Sequence, residues 1–429
     1  MRLESGVFRV PAIGAAVTAV LLLTGVAQAS PGGLDPSFGG NGRVVTDLAP
    51  NQGGSNVAYA VASYPNDKLV VAGTVSPSGS DSTFGLVRYL FDGSLDRTFG
   101  GGDGRVRTAF AEGSAGALNL AVQADGKIVA VGGISGAALA VARYNSDGSL
   151  DETFDDDGRV TTNVPGRSPT NGAAVAVQDD GKIVVAGTSE DDFLVVRYES
   201  DGSPDETFGT DGVALVDLGG SEHSEAIALQ PDGSIVVAGR TVQPPEGDFV
   251  WALIRLTSAG LPDPTFGTAG AVMSNLNSRG TEWADDVALQ ENGKIVAVGK
   301  ARAKWAIVRY TAGGALDPGF AEGGIARIRF GYYGAEGVVI QSTGKIVVAG
   351  PELVGSGAER DLGFGLARFR TDGRFDTTFG GDGHVETPIG RFGDAYAHGL
   401  AAQRQRLVVV GRATRDGELR FAAARFGGG

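Results

Sequence analysis

Three carboxylates and an imidazole stand at one repeated place in this chain. Counting back five residues from a recurring Gln site gives Tyr59, Leu118, Ala173, Glu225, Asp285, Glu336 and His398. Oxygen ligands in company with an imidazole suit a hard, calcium-like divalent cation, with Glu225, Asp285 and Glu336 as its metal ligands. His398 is then the candidate general base of a metal-dependent hydrolase or lyase, since an unperturbed imidazole titrates near neutrality. Asp286 adjoins one of the acids, and Trp283, Tyr332, Tyr333, Phe392 and Tyr396 crowd the same copies. Aromatic faces beside carboxylates equally make a ligand-binding surface, with Trp283, Tyr332, Tyr333, Tyr396 and Asp286 as its candidate residues. Arg240, Lys300, Arg302, Lys304 and Arg412 lie further out on the same loops. Those bases offer a third outcome, in which they neutralise the acids across a solvated rim without any ligand.

What positions these residues is a repeat. The marker Leu-Asp-x-x-Phe, or a close variant, places its Phe at 38, 99, 154, 208, 266, 320 and 379, with steps of 61, 55, 54, 58, 54 and 59 residues. A near-constant period signals a repeat architecture, in which units bury their faces against neighbours. In the third copy, Ala173 to Val177 reads as a short strand and Asp179-Asp180-Gly181 as a turn, with Asp-Gly suiting the left-handed positions of a tight hairpin. Lys182 to Gly187 is a strand apolar on both faces, Phe193 to Tyr198 a third, and Val213 to Val216 a fourth. Four short antiparallel strands repeated seven times predict an all-β fold: one closed seven-bladed β-propeller. Ala62, Ala121, Ala176, Ala228, Ala288 and Ala401 recur on the innermost strand, where converging blades leave room only for small side chains. The mature chain begins with a marker and an outer strand, Leu34 to Thr46, and ends with three inner strands. Together the two fragments make the closing blade and remove both free sheet edges.

The compound pattern Asp-Gly-Lys-Ile-Val-Val-Ala-Gly, Arg-Tyr, Asp-Gly-Ser-Leu-Asp-x-x-Phe-Gly resembles the bacterial delta-sixty repeat, a propeller unit. Full or near-full copies run from Asp125 to Phe154 and from Asp180 to Phe208. Weaker ones run from Ser342 to Phe379 and from Arg404 to Phe426, the last lacking the Asp-Gly-Lys turn. The resemblance implies an exported or surface-associated bacterial chain and brings no catalytic residues.

Composition narrows the partners. Residues 1–29 read as a secretory signal peptide, with Arg2 and Arg9, an apolar stretch from Ala12 to Val26, and Ala27-Gln28-Ala29 as cleavage site. Residues 30–429 then form the propeller, secreted or held in the cell envelope, with no membrane insertion after cleavage. A formal charge of −14 argues against nucleic acid and anionic membranes. The absence of Cys excludes disulfides, thiol catalysis and Cys-ligated zinc. No G-x-S-x-G elbow, H-E-x-x-H helix or phosphate-binding loop is present.

Each copy also carries an Arg late in the third strand (Arg88, Arg143, Arg197, Arg255, Arg309, Arg368, Arg425) and the marker Asp eight residues on, or at Asp35 for the last. A sevenfold set of opposite charges reads as a structural staple. Asp155-Asp156-Asp157 reads as a turn with extra acids, since EF-hand spacing is missing. His384, on an outermost strand, is expected to be exposed, and His223 has no assigned role. Constant turns fall at one end of each blade and variable loops at the other, so the variable face is the candidate site. The expected protein is a monomeric interaction module that binds an envelope glycan or protein and requires no cofactor. The alternative is the calcium-dependent hydrolase or lyase at the channel mouth.

Overall fold

The computed structural model describes residues 29–50, 53–135, 138–168, 170–243, 247–276, 280–302, 304–355, 360–389 and 395–429. The expected signal sequence, apart from Ala29, and Phe392 lie outside them. The described residues form seven four-stranded antiparallel sheets and no α-helix. Blade 3 is representative: Thr170–Val177, Ile183–Ser189, Asp192–Tyr198 and Val213–Val216 pair in that order from axis to rim. Its second strand is buried on both faces, with Ile183, Val184, Val185 and Ala186 fully buried, as its unbroken apolar run requires. Consecutive innermost strands touch all the way round the ring.

The Asp-Gly turns differ from the expected hairpin. Gly181 N–H donates to the Gln178 carbonyl (2.9 Å), and only Gly181 takes a positive φ, +88°. This is a type I turn closed by a left-handed Gly, because Asp180 stays right-handed and its Oδ1 accepts the Lys182 N–H (3.1 Å).

The closing blade joins both ends of the described chain. Arg43–Thr46 pairs with Glu418–Gly427 in register Arg43↔Ala424 to Thr46↔Phe421, outside Arg406–Arg415 and Ala395–Gln403. The outer strand is shorter than expected. Residues 34–42 hold the marker turn instead, with Leu34 bridging Phe426 and Asp35 ion-paired to Arg425 (3.0 Å) and Arg406 (2.5 Å).

The staple occurs in all seven blades. Arg Nε meets marker Asp Oδ2 at 2.6 to 3.0 Å. The guanidinium lies 4.5 to 4.8 Å from the centroid of the marker Phe. A base from the start of the second strand adds a second charge, as Lys68 does on Asp96 (2.8 Å); in blade 4 Ser234 stands at that place. The remaining guanidinium nitrogen donates to a carbonyl of the next blade: Arg88 to Ser146, Arg143 to Ser200, Arg197 to Ser258, Arg255 to Ala312, Arg309 to Thr371, Arg368 to Gly428 and Arg425 to Phe91. Breaking such a buried pair from one side costs about 3–5 kcal/mol, because the other charge is stranded.

Deleting residues 34–46 removes the closing ladder together with Asp35. The expected result is a cooperative loss of stability across the whole ring, read as a lower urea midpoint in a single transition. An unchanged midpoint would show that the ring does not depend on its closing strand.

Candidate functional site

The seven aligned positions are a structural device. In six inner strands the register slips at this place: between Ala58 and Ala60, Ala117 and Asn119, Gly172 and Ala174, Ser224 and Ala226, Ala284 and Asp286, and Ala397 and Gly399. The residue passed over is Tyr59, Leu118, Ala173, Glu225, Asp285 or His398. A bulged residue has no cross-strand partner, and the bulge re-aims its side chain. In blade 6 the strand Gly337–Ile340 begins immediately after Glu336, whose N–H donates to the Ala349 carbonyl (2.8 Å). All seven residues line one cavity of about 510 Å³ on the axis.

The Gly that ends each Val-Val-Ala-Gly run is what permits the bulge. A Cβ on Gly187 would lie 2.0 Å from the Asn171 carbonyl oxygen, one on Gly299 2.2 Å from that of Trp283, and one on Gly411 1.9 Å from that of Tyr396. The motif glycine is therefore a steric requirement of the bulge opposite it, and the bulge aims the cavity residue.

Two unlike halves result. Blades 1 to 3 contribute Tyr59, Val61, Leu118, Leu120, Ala173 and Val175, with Asn119 as a polar member. Blades 4 to 7 contribute Glu225, Asp285, Glu336 and His398. Two residues nearer the loops, blades 4, 5 and 7 carry bases on the second strand, paired across from the inner strand: Arg240 opposite His223, Lys300 opposite Trp283, Arg412 opposite Tyr396. These bases and the aromatics alternate. Arg240 lies 5.2 Å from the rings of both Phe249 and Trp283, and Lys300 Nζ 3.9 Å from Trp283 and 5.7 Å from Tyr333. Tyr333 adjoins Tyr396 (6.1 Å), over which Arg412 lies at 5.2 Å, and Tyr332 stands edge-on to Tyr333 (4.6 Å). Tyr332 and Tyr333 are exposed.

Electrostatics in the acid layer follow from burial. Arg240 pairs with Glu225 (2.7 Å), yet burial still pushes the Glu225 carboxyl up. Burial, then the neighbouring Glu336 and Glu225, hold Asp285 well above the ordinary carboxylate range. Glu336 accepts the Tyr396 hydroxyl (2.8 Å), and burial nevertheless raises it to about 7. Burial, helped by Arg412, drives His398 down to about 3, so its imidazole is neutral at physiological pH. The ring sits between Tyr59 (4.8 Å) and Tyr396 (4.6 Å), with Nδ1 4.0 Å from Glu336 Oε2 and Nε2 without a partner.

Other predicted residues are placed differently. Asp286 lines the cavity but commits both oxygens to backbone, accepting Val287 N–H (2.8 Å) and, across to blade 6, Val338 N–H (2.7 Å). Burial raises it to about 7, and it acts as a strut between inner strands. Lys304 donates to the Gly331 carbonyl (3.2 Å), and Asp157 pairs with Arg159 (2.8 Å). His384 is not exposed as expected, because its ring stacks on Phe330 at 3.7 Å. No three of Glu225, Asp285, Glu336 and His398 bring ligand atoms within 4.8 Å of one another. Asp192, Asp217 and Glu222 do, but Arg167 pairs with Asp192, and Thr241 and the Gly220 N–H hold Glu222. Sequence reasoning passed over Tyr59 as a site residue, although its place in the aligned column marked it, and missed Phe249, which no sequence signal singled out.

Residues 65–99, 123–154, 178–208, 230–266, 290–320 and 341–379 match the family described as a domain of unknown function (DUF5122) beta-propeller. The chain is a β-propeller repeat protein. No curated protein matches it. Among solved structures it is similar to Drosophila Plexin A in complex with Semaphorin 1b (TM-score 0.47, 8% identity, covering 92% of this chain and 88% of that one). It is also similar to the propeller domain of the Trilobed protease from Pyrococcus furiosus (0.43, 10%, 86% and 95%) and to a Lactobacillus plantarum protein (0.45, 14%, 85% and 87%). Likeness at this level carries no argument about what the propeller binds.

The two classes of carboxylate oppose each other in pH. Burial alone would raise Asp96, but hydrogen bonds from Lys68, Thr98 and Arg88 hold it well below its ordinary value, so its stabilisation is present above about pH 4 and fades as pH falls below that. The raised cavity acids stabilise the fold fully below about pH 4 and lose that contribution as pH rises through about 7. Thermal stability should therefore peak near pH 4, each cavity acid contributing up to about 1.4 kcal/mol per pH unit to the decline between about pH 4 and 7. Asp285→Asn with Glu336→Gln should flatten that decline in a Tm-against-pH series and leave the acid limb unchanged.

Proposed function

We propose that this propeller is an exported, non-catalytic binding module of the delta-sixty type, and that it holds an envelope glycan at the charged half of its cavity mouth. The observation that carries the reading is the arc Phe249, Arg240, Trp283, Lys300, Tyr333, Tyr396 and Arg412 above a cavity of about 510 Å³. Small-ligand sites occupy about 300–1,000 Å³ and combine apolar or aromatic walls with a few convergent polar groups. A concave site of this kind suits a sugar chain better than the flat face of a folded protein. His398 supports binding over catalysis, since a group driven down to about 3 is a poor general base near neutrality. Export is supported by the signal-like residues 1–29. Among the described residues no helix is long and apolar enough to cross a membrane. On a glycan array, Trp283→Ala and Tyr333→Ala should each weaken binding by roughly thirtyfold, about 2 kcal/mol, as expected for central aromatic contacts. Binding indifferent to both changes would remove the arc from the site.

One observation favours a second reading, a metal-dependent hydrolase or lyase. Glu336, raised to about 7, has the proton affinity of a general acid working near neutrality. Calcium titration separates the two. The binding-module reading expects no heat and no rise in Tm with excess calcium. Heat that disappears in Asp285→Asn would move the function to the metal, with Glu336 left as the acid.

A further inference from the structure

The acid layer holds acceptors in excess of donors. Glu225, Asp285 and Glu336 present three carboxyl groups to one cavity, all pure acceptors once ionised, and His398 adds an unpartnered Nε2. With the imidazole neutral and its proton on Nδ1, facing Glu336, that Nε2 is a further acceptor. Arg240 satisfies one oxygen of Glu225. The other donors that reach this layer are uncharged: the Tyr396 hydroxyl on Glu336 and the Trp283 side chain on Asp285. Lys300 and Arg412 stand one layer above, over the rings of Trp283 and Tyr396, and act on Asp285 and Glu336 through charge at a distance. The facing half of the wall is mostly apolar, with Val61, Leu118, Leu120, Ala173 and Val175, and its side-chain donors, the Tyr59 hydroxyl and the Asn119 amide, carry no charge. Buried acceptors without donors are costly, so the cavity is complementary to a group that brings donors and positive charge together.

We propose that this group is a primary ammonium carried on a sugar, so that the ligand is a glycan whose amino groups are free and not acetylated. The inference rests on the binding-module reading and specifies its ligand. An ammonium has three donors and no acceptor, the complement of this layer. A bare divalent cation fits less well: calcium holds its oxygens at about 2.3–2.6 Å, and no three of the four side chains bring ligand atoms within 4.8 Å of one another. The volume is also far larger than an ion needs and accommodates a sugar body. Tyr59 and Tyr396, flanking His398, add ring faces that attract a cation and stack on a pyranose. An acetamide at the same place would lose the charge and turn a carbonyl acceptor toward carboxylates.

Calorimetry on the full chain tests this with three probes: a β-1,4-linked glucosamine tetramer, its fully N-acetylated counterpart, and a tetralysine peptide. The expected result is that the free-amine sugar binds at least about tenfold more tightly than the acetylated one, the worth of one charge-assisted hydrogen bond. Asp285→Asn with Glu336→Gln should erase that preference while keeping a cooperative thermal transition. Acetylated sugar bound equally well or better overturns the ammonium inference and leaves the glycan reading standing. If neither sugar binds, both fall. Tetralysine bound more tightly than either sugar overturns the assignment to a glycan. Should the double variant fail to fold, the comparison among probes on the unaltered protein still decides.

Discussion

Everything in this molecule hangs on the charged staple that ties each blade to the next. A guanidinium is satisfied on three sides by its own blade, through the marker Asp, the marker Phe and the residue two beyond the Asp, as with Thr98 for Arg88. Its fourth side donates to a carbonyl of the neighbouring blade. Backbone bonds run beside it, from Gly100 to Asp147 and from Gly209 to Ala259 for example. Each staple is complete only when the next blade is in place, and the last one, Arg425 to Phe91, is complete only when the ring closes. A repeat whose units cannot satisfy their own buried charges has reason to close, since an open end would leave a guanidinium short of an acceptor.

With the outer parts so fixed, the axis can diverge. The bulge in six of the seven inner strands is required by nothing in the staple, yet it recurs because the motif Gly opposite it leaves the space. It delivers one side chain per blade to the axis regardless of what that side chain is. Six bulged strands and the shorter inner strand of blade 6 therefore present Tyr, Leu, Ala, Glu, Asp, Glu and His to one cavity. This separates stability from specificity: the marker Asp and Phe are the same in every copy, and the residues facing the axis differ.

Grouping like residues in adjacent blades also sets their electrostatics. Glu225 and Glu336 lie close enough to raise Asp285, and Glu225 to raise Glu336, while Arg240 pairs with Glu225 alone. Had the same three acids been spread evenly round the ring, each would have met apolar neighbours and little mutual repulsion. Their adjacency, with aromatics and bases in the layer above, turns a symmetric pore into a one-sided site. Gly334 belongs to this arrangement, because a Cβ there would come 2.8 Å from Asp285 Oδ2.

The amino-acid sequence by itself determined the number of blades, their strand order, the closing blade and the identity of the staple partners. The staple rests on contacts between residues a fixed short distance apart in six of the seven copies, so repetition exposes it: Arg88 and Asp96, or Arg143 and Asp151, are eight apart, and Arg425 without such a partner points to Asp35 at the other end. The column holding Glu225, Asp285, Glu336 and His398 was legible for the same reason, since the bulge keeps a constant distance from the following turn. What that column means was decided by the tertiary structure. Only ring closure shows that Asp286 braces the next blade through Val338, that Glu225 is the acid Arg240 takes, and that His384 lies flat on Phe330. Local spacing carries no information about partners contributed by another blade. Nor does it carry the low dielectric of the axis, which drives His398 and Glu336 in opposite directions and leaves both uncharged at mildly acidic pH.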